Sequence, residues 1–240
     1  MAKVAIVGCG AMGSVYAALM ADAGHEVHAV TLWPDHAAAM AAHGLRCEGK
    51  SGDRTIRLHA STTTEGIGVC DLVVIATKAF DVETAARASL PLLGPATVVQ
   101  SIQNGLGSPD IAAPIVGADR LAVGVVGGFG ASMRGPGHVH HNGMEMIRFG
   151  AFAGLPRGPL EASAAIWESA GFKVTLFGDI KRMVWEKLIM NVTFSATCCL
   201  TGLTIGAVMD DADAWPVARG CAEEAVAVAH RVRGVQGARP

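Results

Sequence analysis

Three glycines constrain this chain more than any other feature. Gly8, Gly10 and Gly13 follow the apolar run Val4–Val7 in G-x-G-x-x-G spacing and lead into Ser14–Ala21, a run of good helix formers. An apolar run bounded by glycine reads as a parallel strand buried on both faces. The first glycine permits a tight turn, the second lets the backbone approach a pyrophosphate, and the third lets helix and strand pack closely. The helix then aims its unpaired N–H groups at the phosphates. On its own the motif is weak. Here a strand precedes it, a helix follows, and residues 25–32 supply the second strand of a βαβ unit. That context predicts a dinucleotide site at Gly8, Cys9, Gly10, Ala11, Met12 and Gly13.

With 240 residues the chain can hold one large domain or two modest ones. Apolar residues make up 51% of it and glycine is abundant, a balance that suits helices packed on a parallel sheet. A net charge of −2 gives no electrostatic case for nucleic acid or an anionic membrane. The mean hydropathy of +0.38 is high. Yet no stretch of about 18 residues is free of charged or turn-forming residues, so no membrane span is expected. The first strand begins at Lys3, so no signal peptide is expected either. The six cysteines contain no C-x-x-C pair, and Cys198 and Cys199 are adjacent. This is the pattern of reduced thiols in a cytoplasmic protein.

The end of the second strand normally reads the adenosine ribose, through a carboxylate for NAD or a nearby arginine for NADP. That position, about 18 residues past Gly13, is Thr31, followed by Leu32-Trp33-Pro34-Asp35-His36. Neither acid nor arginine stands there, and the missing acid argues against strict NAD use. Pro34 ends the strand, and Asp35 and His36 are expected to cap a helix over 37–43. Residues 45–61 are turn-rich and predict a β excursion on the surface. A third core strand, 71–77, ends in Lys78, and a fourth, 97–101, is followed by Gln103-Asn104-Gly105. Ligands of such sheets bind outside the carboxyl ends of the strands. Lys78 is therefore a candidate for a phosphate or substrate anion, and Asn104 for nicotinamide or substrate. A solvated lysine and a plain Asn-Gly turn are the alternatives.

Another strand over 121–126 leads to the glycine-rich run 127–130, and 138–150 reads as a hairpin or edge pair. His138 and His140 share a strand face, with His141 beside them, but no Cys, Asp or Glu completes a metal set locally. An exposed histidine cluster without metal is expected. A helix over 159–170 and a strand over 173–177 close a dinucleotide-binding domain of residues 1–177, and residues 178–240 read as almost wholly helical. The fold expected is α/β, a Rossmann-type doubly wound sheet followed by a mostly α-helical C-terminal domain.

In that second domain Asp179 can cap a long helix running towards Gly202. Apolar residues at 183, 184, 185, 188, 189, 190, 192 and 194 surround it on nearly every side, which predicts a buried helix. Within it Lys187, Asn191 and Ser195 fall at i, i+4 and i+8 and form one polar stripe. A buried ammonium is costly unless it is paired or faces a cleft, where it can deliver a proton. A lysine that snorkels to water is the alternative.

Gly8-Cys9-Gly10-Ala11-Met12-Gly13, Trp33-Pro34-Asp35-His36, Thr77-Lys78-Ala79, Gln103-Asn104-Gly105, Trp185-Glu186-Lys187-Leu188 with Asn191, and Leu200-Thr201-Gly202-Leu203 occur in that order. Together they resemble the ketopantoate reductase (2-dehydropantoate 2-reductase) family, from residue 3 to about residue 230. The resemblance implies NADPH-dependent reduction of a 2-keto acid to a 2-hydroxy acid, a step towards pantothenate and coenzyme A, with NADP(H) favoured over NAD(H). It implies that Lys187 is the catalytic lysine, whose ammonium polarises and protonates the keto oxygen as hydride arrives. It likewise places Asn104 near nicotinamide and substrate, Lys78 on the cofactor and Asn191 on a substrate hydroxyl. Ser195 stands where many members carry a second asparagine, with less reach towards substrate.

The family continues with helices bearing a serine and a glutamate that bind substrate. Here Glu223–Ala229 matches the expected helix and the sequence then stops over Gly234–Pro240, so neither residue is assigned. An incomplete helical domain, uncovered apolar surface and self-association into a homo-oligomer are expected. Two rival readings predict different outcomes. A reductase of another 2-keto or β-hydroxy acid would show itself in keto acid profiling. A catalytically impaired NADP(H)-binding protein would bind cofactor without turnover. A methyltransferase fits less well, because Thr31 replaces the acid expected for the ribose of S-adenosylmethionine.

Overall fold

The computed structural model describes residues 1–128, 130–143 and 146–232. Packing divides the chain into two units: Met1–Gln103 with Gly107–Gly178, and Asn104–Leu106 with the chain from Asp179 on.

The first unit opens with β1 (Lys3–Val7), α1 (Ala11–Asp22), β2 (Glu26–Val30) and α2 (Pro34–His43). Three short strands follow, β3 (Leu45–Gly49), β4 (Arg54–Ile56) and β5 (His59–Ser61), then β6 (Leu72–Ile75), α3 (Val82–Ala88), β7 (Val98–Ser101) and α4 (Ser108–Val116). It closes with β8 (Leu121–Gly127), β9 (Gly130–Gly135), β10 (His138–Gly143), β11 (Met146–Ala151), α5 (Arg157–Ser169) and β12 (Val174–Leu176).

Eight strands make the main sheet in the order β12-β11-β8-β7-β6-β1-β2-β5, parallel throughout except where β11 runs against β8. β1 is the switch point: β2 lies on one side of it and β6 on the other, both parallel to it. The central strands are fully buried, which is why β1 and β6 read as continuous apolar runs. Ala5, Val7, Val73, Ile75 and Val99 pack with α3 and α4 in one core, while Val4, Ile6, Val27, Ala29 and Val74 pack with α1 in the other.

A second sheet, ordered β4-β3-β10-β9, lies over α1. The helix is thus enclosed, with every residue from Gly13 to Met20 buried. Tyr16 meets Trp167 and Phe172 edge-on, with ring centroids 5.1 and 5.9 Å away. Two expectations are corrected here. The segment over 45–61 is no surface excursion: Leu45 and Cys47 are fully buried core residues, and β5 extends the main sheet beside β2. Nor is 138–150 a hairpin, because β10 pairs with β3 and β9 whereas β11 pairs with β8 and β12 in the other sheet. Residues 144 and 145 between them, and Phe129 of the glycine-rich run, lie outside the described residues.

The second unit contains α6 (Ile180–Thr201), α7 (Ile205–Asp210) and α8 (Ala214–Arg231). Asp179 caps α6, its Oδ1 accepting from Arg182 N at 3.0 Å, and Gly202 ends it in the left-handed conformation. Trp185 and Ile189 of α6 pack on Ala222, Val226 and Ala229 of α8, and Phe194 packs on Val208, Ala214 and Ala218. The alanines let the helices approach closely. α6 is not buried on all sides as its composition predicts: Met190 is 55% and Leu200 87% exposed. The terminal stretch Gly234–Pro240 lies outside the described residues.

Candidate active site

The glycine loop sits where β1 ends at the switch point. Gly8 adopts φ +103°, which favours glycine, and the N–H groups of Gly8 and Cys9 both donate to Val30 O at 2.9 Å. A Cβ on Gly8 would lie 2.6 Å from Thr77 N, and one on Gly13 2.5 Å from Gly8 O, so neither position admits a side chain. A Cβ on Gly10 would meet nothing within 4 Å, which leaves that side of the loop open. α1 starts at Ala11 with no side-chain cap. The N–H groups of its first turn, at Ala11, Met12 and Gly13, have no intrahelical partners and carry the positive end of the helix dipole. The Cys9 thiol itself is buried, and burial pushes its pKa far up.

Beside the loop lies a cavity of about 160 Å³, walled by Gly8, the end of β2 with Thr31 and Leu32, the run Thr62–Thr64 after β5, Thr77, and Asp81 and Thr84 near the start of α3. Thr31 is buried, and its Oγ1 accepts from Trp33 N at 3.3 Å. Thr77 Oγ1 is buried and makes no hydrogen bond among the described residues. Sequence reasoning passed over Thr62–Thr64; the run of threonines leaving an edge strand was the available signal. Lys78 is exposed just past the end of β6, immediately before a single 3-10 turn, Ala79–Asp81. Gln103 was also missed as a fastener. Its Nε2 donates to Ile75 O (2.7 Å) and Thr77 O (3.2 Å), and its Oε1 accepts from Ser101 Oγ, tying the end of β7 to the end of β6.

His36 does not cap α2. The helix begins at Pro34 with Trp33 in the cap position and no side-chain cap, because the imidazole of His36 is fully buried beneath it. Its Nδ1 accepts from Gly137 N at 2.8 Å, which leaves the hydrogen on Nε2 to point at Ser14 Oγ, 3.0 Å away. One ring therefore fastens the residue after Gly13 to the turn between β9 and β10. Burial holds its pKa below the ordinary value.

Within the second unit, Asn104 is exposed, Lys187 and Asn191 are half-buried, and Ser195 is exposed. Lys187, Asn191 and Ser195 share a flank of α6 apart from the buried seam of Trp185, Ile189 and Phe194. Lys187 is marked by its place in the stripe, since the helix around it is buried on one side only.

The histidines of β10 do find an acid, one supplied by parallel pairing rather than by neighbours in sequence. Glu48 of β3 lies 3.2 Å from His138 Nε2 and 3.3 Å from His140 Nδ1, and it also meets Arg46 at 3.2 Å and Arg134 at 3.7 Å. The hydrogen bond to His140, aided by His138, outweighs the loss of solvation and holds the Glu48 carboxyl below the usual range. His141 faces the other way and is fully buried, and His138 and His140 are half-buried beside Glu48, so the cluster is not the exposed one expected.

The model of the family described as "Ketopantoate reductase PanE/ApbA" matches residues 4–154, and that of its C-terminal domain matches residues 179–237. The 2-dehydropantoate 2-reductase of Halobacterium salinarum is 30% identical over 87% of this chain and 68% of its own length. That of Archaeoglobus fulgidus is 29% identical over 92% and 72%. Among solved structures, 2-dehydropantoate 2-reductase from Geobacter metallireducens superposes with a TM-score of 0.86 at 32% identity, covering 95% of this chain and 75% of that one. The PanE/ApbA family ketopantoate reductase from Ralstonia eutropha gives 0.84 at 34%, covering 98% and 76%.

Proposed function

This chain belongs to the ketopantoate reductase family, and we propose that it reduces 2-dehydropantoate to pantoate with NADPH, as a cytoplasmic homo-oligomer serving pantothenate and coenzyme A synthesis. Members named 2-dehydropantoate 2-reductase are oxidoreductases acting on CH–OH groups. The observation that carries the reading is the glycine loop at the switch point of the doubly wound sheet, open at Gly10 and closed at Gly8 and Gly13. A dinucleotide fits this surface: the loop admits close backbone approach, the helix N-terminus favours anions, and Thr77 Oγ1 is a buried polar atom in want of a partner.

The roles divide between residues 1–177, which bind the dinucleotide, and residues 178–240, which carry the proton donor. The backbone of Gly8, Cys9, Gly10, Ala11, Met12 and Gly13 cradles the pyrophosphate, Thr31 borders the adenosine ribose, and Lys78 offers its ammonium to a phosphate. The bound dinucleotide supplies hydride to the keto carbon. Lys187 Nζ polarises the keto oxygen and gives it a proton, so that no alkoxide has to persist. Asn104, Asn191 and Ser195 would orient the acid by hydrogen bonds, and Asn104 would also serve the nicotinamide.

The test is dinucleotide consumption by the purified chain with ketopantoate, run with NADPH and NADH beside a panel of 2-keto acids. Lys187→Ala should lower turnover by about 10²–10⁴-fold while leaving cofactor affinity nearly unchanged. An equal loss of NADPH binding would make Lys187 a cofactor ligand instead, and binding without any turnover would favour the impaired protein. One observation favours a second reading with NADH: the charged side chain among the described residues lining the cavity is an acid, Asp81.

A further inference from the structure

The edge of the eight-stranded sheet carries a polar cluster that dinucleotide binding does not use. In the parallel pairing of β2 with β5, His28 stands opposite His59, and in that of β1 with β2, Lys3 stands opposite Glu26. Glu26 and His28 are two residues apart on one strand, so their side chains emerge on the same face with His59 beside them. The two imidazoles stack with centroids 4.7 Å apart and planes inclined by 15°. His28 Nε2 lies 2.9 Å from Glu26 Oε1, and Lys3 Nζ lies 3.1 Å from the same oxygen. His28 is 14% exposed by its side chain, whereas His59 is open to solvent. One donor atom from each of Glu26, His28 and His59 lies within 4.8 Å of the other two.

We propose that Glu26, His28 and His59 bind a divalent transition-metal ion of the Zn²⁺ type, with water completing the coordination. Two imidazoles and one carboxylate are a donor set that borderline ions take readily. Bonds of about 2.1 Å require tetrahedral donors about 3.4 Å apart. The cluster is therefore close to that size, and the solvent-exposed His59 has room to turn off the stack and complete it. On binding, the ion takes over from Lys3 as counter-charge. The site would clamp the three-residue edge strand β5 onto β2. Because β5 runs directly into Thr62–Thr64, the clamp would also steady one wall of the cavity, a consequence that rests on the dinucleotide reading.

Calorimetric titration with Zn²⁺ and thermal unfolding with and without it test the site on the full chain. The wild type should bind one ion through this cluster and unfold at a higher temperature when loaded. Loss of an outer-sphere partner alone costs about 10–100-fold in affinity, so His59→Ala, at an exposed position, should weaken binding at least tenfold. Lys3→Met should tighten it, and His140→Ala, in the separate Glu48 cluster, should leave it unchanged. Absence of binding by the wild type, equal affinity in His59→Ala, or loss in His140→Ala instead would overturn the proposal. None of these readouts involves turnover, so the metal site and the reductase reading can fail independently.

Discussion

At His36 a neutral ring joins the dinucleotide loop to a turn of the second sheet, and its bond from Gly137 depends on that neutrality. Protonation of Nδ1 would face the Gly137 N–H with another donor. The folded-state pKa is depressed below 6.5 by burial. The unfolded chain therefore takes up the proton first, and the contribution of His36 to stability is complete above about pH 6.5 and is lost as pH falls towards the folded value. Acidification from about pH 7 to pH 5 should lower the melting temperature of the wild type by more than that of His36→Ala. The variant itself should be about 2 to 4 kcal/mol less stable at neutral pH, from two orphaned partners and a cavity. Melting curves of the two proteins across that range check both statements. None of this was legible at position 36. Three residues after Trp33, a polar side chain reads as a cap, and the partner that decides otherwise lies 101 residues further along.

The ends of α6 show what sequence does convey about elements. A cap is an i to i+3 contact, so Asp179 before an apolar run announces itself, and Gly202 marks the stop in the same way. Asp179→Ala should cost the helical unit about 1 kcal/mol, read as a lower urea midpoint, and Asp179→Asn should restore most of it. The strand–glycine–helix unit was readable for the same reason: β1, the loop and α1 are contiguous, and the glycines are demanded by backbone contacts only a few residues or one strand away. Which flank of α6 faces the other helices was not readable, because an apolar residue such as Leu200 looks the same whether covered or bare. The second sheet escaped notice because it is completed by the pairing of β3 with β10, which lie far apart in sequence; Glu48 and His140 meet across 92 residues.

For the molecule as a whole, the helical unit leaves Met190, Leu200, Ile205, Met209, Val217 and Val228 substantially exposed, more apolar surface than three helices of a stable monomer ordinarily show to water. Self-association is the expected outcome, with light scattering giving at least twice the chain mass of 24.6 kDa at micromolar concentration. Val217→Asp should shift it towards monomer, and a wild type that scatters as a monomer throughout would count against the expectation. The parallel joining of β3 to β10 has a consequence of another kind, for the order of events during synthesis. Contacts so distant along the chain close late, since loop entropy has to be overcome before they form. One flank of α1 rests on β3, β9 and β10, so it is only partly covered on the ribosome until residue 143 has emerged. Until then the nascent dinucleotide loop leads into a helix with a partly uncovered greasy side, and the interval between β3 and β10 is the window in which a chaperone has something to hold.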